Sequence, residues 1–161
     1  MAPTRLAQPH ERRLNEPRPH ELRIRLTAGP AAAAEARRQV EAAICAWDVP
    51  VDQSIAVLLT SELVTNAIVH EPGGLITLAV SFSSGQLRVD VFDGSRRLPV
   101  VVDADADAES GRGLTLVATL ATAWGFYRTP AGKAVYFVLA FQPELAQANE
   151  GDPQGVQAWG L

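Results

Sequence analysis

The arrangement of apolar and polar residues predicts the first three elements of the chain. Apolar and polar side chains alternate over residues 22–27, the two-residue period of a half-buried strand. Residues 31–46 are rich in strong helix formers and follow Pro30, which the first turn of a helix tolerates. A second helix is expected to begin after Asp52, whose carboxylate can accept hydrogen bonds from free amides there, and to run to about His70.

The second half of the chain predicts two pairs of strands separated by a loop and a helix. The expected bounds are strands at about 75–82 and 86–92, a loop at 94–110, a helix at about 113–122, and strands at 124–129 and 133–141. A loop of that length in a compact domain is usually functional or disordered. Strands grouped in pairs, with helices long enough to cover one face, predict an α+β two-layer sandwich rather than a doubly wound parallel sheet.

The two ends of the chain lack any periodic pattern. Residues 1–19 contain four of the eleven prolines, and residues 143–161 are similarly rich in turn-forming residues. We therefore expect a flexible N-terminal arm at 1–19, one folded domain at 20–142 and a flexible C-terminal tail at 143–161.

Composition narrows the class of protein. With 47% hydrophobic and 20% charged residues, the 161-residue chain is typical of a globular domain. A net charge of −4 argues against a non-specific nucleic-acid binder, which needs a basic surface. The lone Cys45 excludes an internal disulfide framework and favours a reducing cytoplasm. No apolar stretch approaches the length of a membrane span, and the N-terminal segment lacks the apolar region of a secretory signal.

Three polar residues share one face of the second predicted helix. Glu62, Asn66 and His70 are spaced four residues apart, so that each is rotated only about 40° from the previous one. Asparagine is unfavourable inside helices, whereas an amide oxygen beside a carboxylate is a good hard-ligand arrangement for Mg²⁺. The alternative is a solvated stripe on an amphipathic helix, with His70 placed to favour the helix dipole.

Two further segments combine glycine with polar residues. The third predicted strand ends in Asp93, followed by Gly94 and Ser95, which places a carboxylate at the strand tip; an ordinary turn explains the same residues. Glycines at 111 and 113 precede an apolar helical run, where backbone amides can bind an anion and Arg112 adds a cation. The alternative for this segment is a glycine-bounded loop that enters a helix.

Two common nucleotide-binding motifs are missing from the sequence, and the role of one lysine stays open. The sequence has no G-x-x-x-x-G-K-[ST] phosphate-binding loop and no G-x-G-x-x-G after a strand. Lys133 stands in a turn that leads into the last strand, where it is expected to be exposed.

Taken in order, four segments resemble a known superfamily over about residues 22–141. They are S-E-L-V-T-N-A-I-V-H at 61–70, V-F-D-G-S-R-R-L-P at 91–99, E-S-G-R-G-L at 109–114 and W-G-F-Y-R-T-P-A-G-K-A-V-Y-F at 124–137. The chain resembles the histidine-kinase-like (GHKL) ATPases and is most similar to the anti-sigma-factor serine/threonine kinases of actinobacteria. The resemblance implies a Bergerat-type ATP-binding fold, a mixed, mostly antiparallel sheet covered on one face by about three helices.

The resemblance also implies roles for individual residues. Glu62 matches the catalytic acidic residue proposed to take the proton from the attacking hydroxyl, and Asn66 matches the Mg²⁺ ligand beside ATP. Asp93 matches the carboxylate that accepts from the adenine amino group. The remaining ATP-binding positions that match are Ser95, Gly111, Arg112, Gly113 and Leu114. In this branch position 134 is often threonine, whose hydroxyl supports the adenine-binding aspartate through water; Ala134 cannot donate, a loss of on the order of 1 kcal/mol.

The implied function is that of an ATP- and Mg²⁺-dependent protein serine/threonine kinase in the cytoplasm. Its expected partners are a sigma factor, which it binds, and an anti-sigma-factor antagonist, which it phosphorylates, with a homodimer also compatible with the fold. Neither direct nucleic-acid contact nor membrane contact is expected. The alternative is a nucleotide-sensing, protein-binding module without turnover, motivated by Ala134, by Ser95-Arg96-Arg97 in a box that usually reads D-x-G-x-G, and by the acidic run at 103–109.

Overall fold

The period-two and helical patterns of the sequence fold into a five-stranded sheet with three helices. The computed structural model describes residues 20–99 and 112–141, and the predictions for 1–19, for the rest of the long loop and for 143–161 lie outside these residues. The elements are β1 (His20–Thr27), α1 (Pro30–Ala46), α2 (Gln53–His70), β2 (Leu75–Ser83), β3 (Gln86–Asp93), α3 (Arg112–Leu120), β4 (Ala123–Thr129) and β5 (Gly132–Ala140). The predicted α+β fold is confirmed.

All four strand pairings in the sheet are antiparallel. The strand order is β1-β2-β3-β5-β4, so that β3 and β5 lie side by side although α3 and β4 separate them in sequence. The register pairs Asp93, the last residue of β3, with Lys133 near the start of β5. This pairing brings two sequence segments 40 residues apart to one edge of the sheet.

Local signals in the sequence explain where the helices begin and end. Pro30 occupies the first turn of α1, and the Asp52 carboxylate caps α2 by accepting from the amides of Ser54 at 2.9 Å and Ile55 at 3.2 Å. The third helix ends at Leu120, two residues before the predicted bound, because the amide of Thr122 already donates to the carbonyl of Val138 in β5.

The core lies between the helices and one face of the sheet. Alternate residues of the strands point into it, as the two-residue period requires. Its strand members include Ile76, Leu78, Val80, Leu87, Val89, Val91, Val135, Phe137 and Leu139, and its α2 members are Ala56, Leu59, Leu63, Val64 and Ala67. With one side against these residues, α2 is held in place, and its polar stripe is fixed relative to the sheet edge. No helix in the described part of the chain is both long enough and apolar enough to span a membrane.

Candidate functional site

The polar face of α2 forms the centre of the candidate site. Glu62, Asn66 and His70 are all half-buried, and they follow one another along a face about 12 Å long. Within residues 20–99 and 112–141, neither Glu62 nor Asn66 has a hydrogen-bond or ion-pair partner for its side chain. The stripe predicted from the spacing is therefore confirmed as a shared face, and two of its three polar groups are available to a ligand.

At one end of this face, Glu62 meets the start of α3. A β-carbon built on Gly113 would lie 2.5 Å from Glu62 Oε2, closer than real β-carbons approach another atom. Gly113 itself is buried. Its lack of a side chain is what allows the carboxylate to lie directly against the first turn of α3, where free backbone amides favour an anion.

At the other end, His70 meets a buried ion pair. Lys133 Nζ lies 3.0 Å from Asp93 Oδ1 and 3.1 Å from His70 Nδ1. Asp93 Oδ1 also accepts from the amide of Ser95 at 2.8 Å. The side chains of Lys133 and Asp93 are 1% and 2% exposed, so this pair is removed from water almost completely.

The contact fixes the protonation state of His70. An ammonium group has no lone pair, so Nδ1 of the imidazole must accept from Lys133. Burial, followed by the positive charge of Lys133, lowers the pKa of His70, while Asp93 acts in the opposite direction. The neutral imidazole therefore ties the end of α2 to the tips of β3 and β5.

Close backbone packing holds the ion pair in place. A β-carbon on Gly132 would overlap the carbonyl oxygen of Asp93, so only glycine allows β5 to begin this near to the end of β3. Gly94 follows Asp93 in the chain, and a β-carbon on it would lie 2.5 Å from Glu71 Oε2. This oxygen is buried without a hydrogen-bond partner among the described residues. Glycine is thus a packing requirement at 132, where the neighbouring atoms belong to the backbone, whereas at 94 the neighbour is the end of a flexible side chain.

The remaining predicted site residues have different environments. Ser95 is half-buried, and its hydroxyl accepts from the amide of Arg97 at 3.1 Å. Leu114 is 3% exposed and belongs to the hydrophobic core, so its side chain is not available to a ligand and only its backbone can contact one. Arg112 is the first residue of α3. Gly111 and the acidic run at 103–109 lie outside the described residues.

The expectation that Lys133 is exposed is wrong. Its side chain is buried because it stands two residues before Val135 on the strand face that also carries Phe137 and Leu139, all of them core residues. The two-residue alternation of β5, extended from Val135 toward the N-terminus of the strand, predicts that the Lys133 side chain is buried. The role considered for position 134 is also corrected: Ala134 pairs with Phe92 and therefore faces away from Asp93, which has Lys133 as its neighbour.

A cavity of about 540 Å³ also opens at this edge of the sheet. Its lining combines Asp93 and Gly94 with residues of the opposite face of the sheet, among them Arg23, Thr77 and Phe92. Because strand residues alternate between faces, those walls point away from the face that carries Glu62 and Asn66. The cavity is therefore separate from the polar face of α2.

Comparison with known proteins agrees with the fold. A family model described as histidine kinase-like ATPase domain matches residues 26–139. Among solved structures, the RsbU and RsbW domains of Rv1364c from Mycobacterium tuberculosis match with a TM-score of 0.55 and 21% sequence identity. That match covers 75% of this chain and 32% of the other, so the chain spans about a third of the neighbour's length. A search of curated proteins gives no match.

Proposed function

The chain belongs to the histidine kinase-like ATPase family, and from this premise we propose that it is an ATP- and Mg²⁺-dependent protein serine/threonine kinase. The observation that supports the proposal best is the polar face of α2, with Glu62 against the start of α3 and His70 against Lys133, which pairs with Asp93. A nucleotide along this face would have its base at Asp93 and its phosphates at α3. Asn66 would lie between them.

Residues on this face and at its two ends have proposed roles in ATP binding and phosphoryl transfer. Glu62 takes the proton from the attacking hydroxyl, and Asp93 accepts from the adenine amino group. The backbone of Gly111, Arg112, Gly113 and Leu114 binds the phosphates of ATP, and Ser95, whose amide donates to Asp93, binds ATP at the other end of the face. Phosphoryl transfer depends on positioning and charge neutralisation more than on covalent chemistry. A helix face can position the reacting groups, and a helix N-terminus can neutralise phosphate charge.

The residues present fit Mg²⁺ held together with phosphates. Among the described residues, no group of three or more His, Cys, Asp or Glu side chains forms a metal site. Mg²⁺ commonly takes one or two protein ligands and completes its octahedron with phosphate oxygens and water. The amide oxygen of Asn66 would be the protein ligand, and the bound ion would neutralise phosphate charge.

The proposed partners are proteins. We propose that the chain acts as an anti-sigma regulatory factor in the cytoplasm, binding a sigma factor and phosphorylating an anti-sigma-factor antagonist, with no direct contact with nucleic acid or membrane. This part of the proposal rests on the resemblance of the sequence motifs to the anti-sigma-factor kinases. A homodimer is a further proposed assembly.

Calorimetry and phosphate transfer together test the proposal. ATP binding would be measured with and without Mg²⁺, and transfer of labelled γ-phosphate to an anti-sigma-factor antagonist domain would follow. Glu62→Gln is expected to retain ATP binding and lose transfer at least a hundredfold, the usual scale for a general base. Asn66→Ala is expected to lose the Mg²⁺ dependence of binding.

Two exposed positions provide matched controls. Glu21→Gln changes an exposed carboxylate on β1, and Thr65→Ala changes the exposed neighbour of Asn66 on α2; both are expected to behave as wild type. Equal transfer by wild type and Glu62→Gln would contradict the proposed base. ATP binding by wild type without any transfer would favour the alternative, a nucleotide-sensing protein-binding module.

A further inference from the structure

Lys133 is the largest fully buried side chain in the described part of the protein, and it carries a charge. Burying an ammonium group is very unfavourable unless it is paired and hydrogen-bonded. Lys133 meets this condition through Asp93 Oδ1 at 3.0 Å and His70 Nδ1 at 3.1 Å. A side chain this costly to bury, placed at the carboxylate proposed to contact the base, points to a role beyond packing.

The two oxygens of Asp93 are not equivalent. Oδ1 accepts from two donors, Lys133 Nζ and the amide of Ser95. For Oδ2, no hydrogen-bond partner occurs among residues 20–99 and 112–141. The carboxylate is thus held by one oxygen, and its other oxygen is left to accept from a ligand.

We infer that Lys133 is a positioning residue that determines which purine the site accepts. By pairing with Oδ1, it holds the Asp93 carboxylate in one orientation, with Oδ2 left to face the ligand as a hydrogen-bond acceptor. The inference rests on the function proposed above, in which Asp93 contacts the base of a nucleoside triphosphate.

The chemistry at position 6 of the purine then decides the preference. An adenine base presents an amino group, which donates to a charged carboxylate. A hypoxanthine base presents a carbonyl oxygen at the same position, so that Oδ2 held opposite it would face a second acceptor; the N1–H donor of hypoxanthine lies one ring position away and is reached only if the carboxylate turns. An Asp93 carboxylate held in this orientation therefore favours adenine.

Removing the lysine should change this preference as well as the affinity. Without Lys133, Oδ1 loses the side-chain donor that holds it, and the Asp93 carboxylate is free to turn. A carboxylate that can turn accepts from N1–H of hypoxanthine as readily as from the 6-amino group of adenine. A purely structural lysine would instead weaken the binding of every nucleotide by the same factor.

The experiment compares ATP with inosine triphosphate, which differs from it in the groups on the edge that faces Asp93. Dissociation constants in the presence of Mg²⁺ would be measured by calorimetry for the full chain and for Lys133→Met, which keeps the apolar stem. The wild type is expected to prefer ATP at least tenfold. In Lys133→Met the ratio is expected to fall below twofold.

A control and a second variant make the result decisive. Arg128 is the exposed cross-strand neighbour of Lys133 on β4, and Arg128→Met is expected to keep the wild-type ratio within twofold. Lys133→Gln keeps a hydrogen-bond donor without the charge. Should Lys133→Met fail to fold, the preference for ATP over inosine triphosphate is measured for Lys133→Gln instead, and it is expected to fall at least threefold from the wild-type ratio.

The possible failures are distinguishable. If variants at Lys133 weaken both nucleotides equally, or change neither, the inference is wrong while the proposed ATP binding stands. If the wild type binds neither nucleotide, the proposed function is overturned and the inference with it.

Discussion

The carboxylate of Glu62 lies so close to the α-carbon of Gly113 that a β-carbon there would come within 2.5 Å of Oε2. The two residues are 51 positions apart in the sequence, and their contact joins the middle of α2 to the first turn of α3. The contact makes Gly113→Ala a test of where the Glu62 carboxylate must be.

We expect Gly113→Ala to separate stability from activity. The atom in the way is the end of a flexible side chain, which can swing aside, and alanine is favoured over glycine in a helix by up to about 1 kcal/mol. Stability measured by urea unfolding should therefore be unchanged or slightly higher. Phosphate transfer should fall at least tenfold because the proposed base is displaced. Unchanged transfer would show that this placement of Glu62 has no part in the reaction.

Most of the fold was predictable because its elements carry periodic patterns. The alternation at 22–27, the helix formers behind Pro30 and the cap at Asp52 each act locally, and the structure contains the corresponding elements. The shared face of Glu62 and Asn66 follows from helix geometry alone. Local physics was therefore enough for the elements and for half of the candidate site.

The other half of the site depends on strand register, which no local pattern sets. Whether Lys133 meets Asp93 is decided by the pairing of β3 with β5 and by glycine at 132, which lets the two strand ends approach. A lysine beside a turn is ordinarily solvated, and the turn sequence therefore predicts an exposed Lys133, although the alternation of Val135 and Phe137 places it on the core face. Its contact with Asp93 became visible only with the partner strand in place.

The cap of α2 gives a prediction about stability alone. Asp52 accepts from two backbone amides, so Asp52→Ala leaves both without this partner and should lower the free energy of unfolding by about 1 kcal/mol. Asp52→Asn, which retains an acceptor oxygen, should lose less than half of that. Urea denaturation measures both, and equal losses in the two variants would show that the charge, rather than the hydrogen bonds, stabilises the helix.

The lowered pKa of His70 predicts how stability depends on pH. Since the native pKa lies below the ordinary value of about 6.5, the unfolded chain takes up a proton while native His70 stays neutral. The contribution of neutral His70 to the free energy of unfolding is therefore complete above about pH 6.5 and is lost as the pH falls toward the native pKa. Lys133 and Arg97 both disfavour the imidazolium, and only Asp93 favours it.

Unfolding measured at about pH 7.5 and about pH 5.5 tests this sign. His70→Gln should lose less stability on acidification than the wild type, because the group that takes up the proton is gone. His20→Gln is the matched control on β1, and it should keep the wild-type difference. A His70→Gln variant that loses as much stability as the wild type would assign the acid sensitivity to other groups.

Gly132→Ala should be the most damaging of these changes. Its β-carbon would overlap the carbonyl oxygen of Asp93 and lie 2.7 Å from the α-carbon of Gly94, both of them backbone atoms that cannot rotate away. Overpacking of this kind costs about 1–3 kcal/mol, and here relief requires that β5 move away from β3. Such a movement also separates Lys133 from Asp93, so ATP affinity should fall with stability.

Gly29→Ala, where the nearest atom is 4.0 Å away, should change stability by about 0.5 kcal/mol or less. Urea unfolding and calorimetry with ATP measure the two effects, and an alanine variant that binds ATP normally would show that the close approach of these strand ends is not needed for the site.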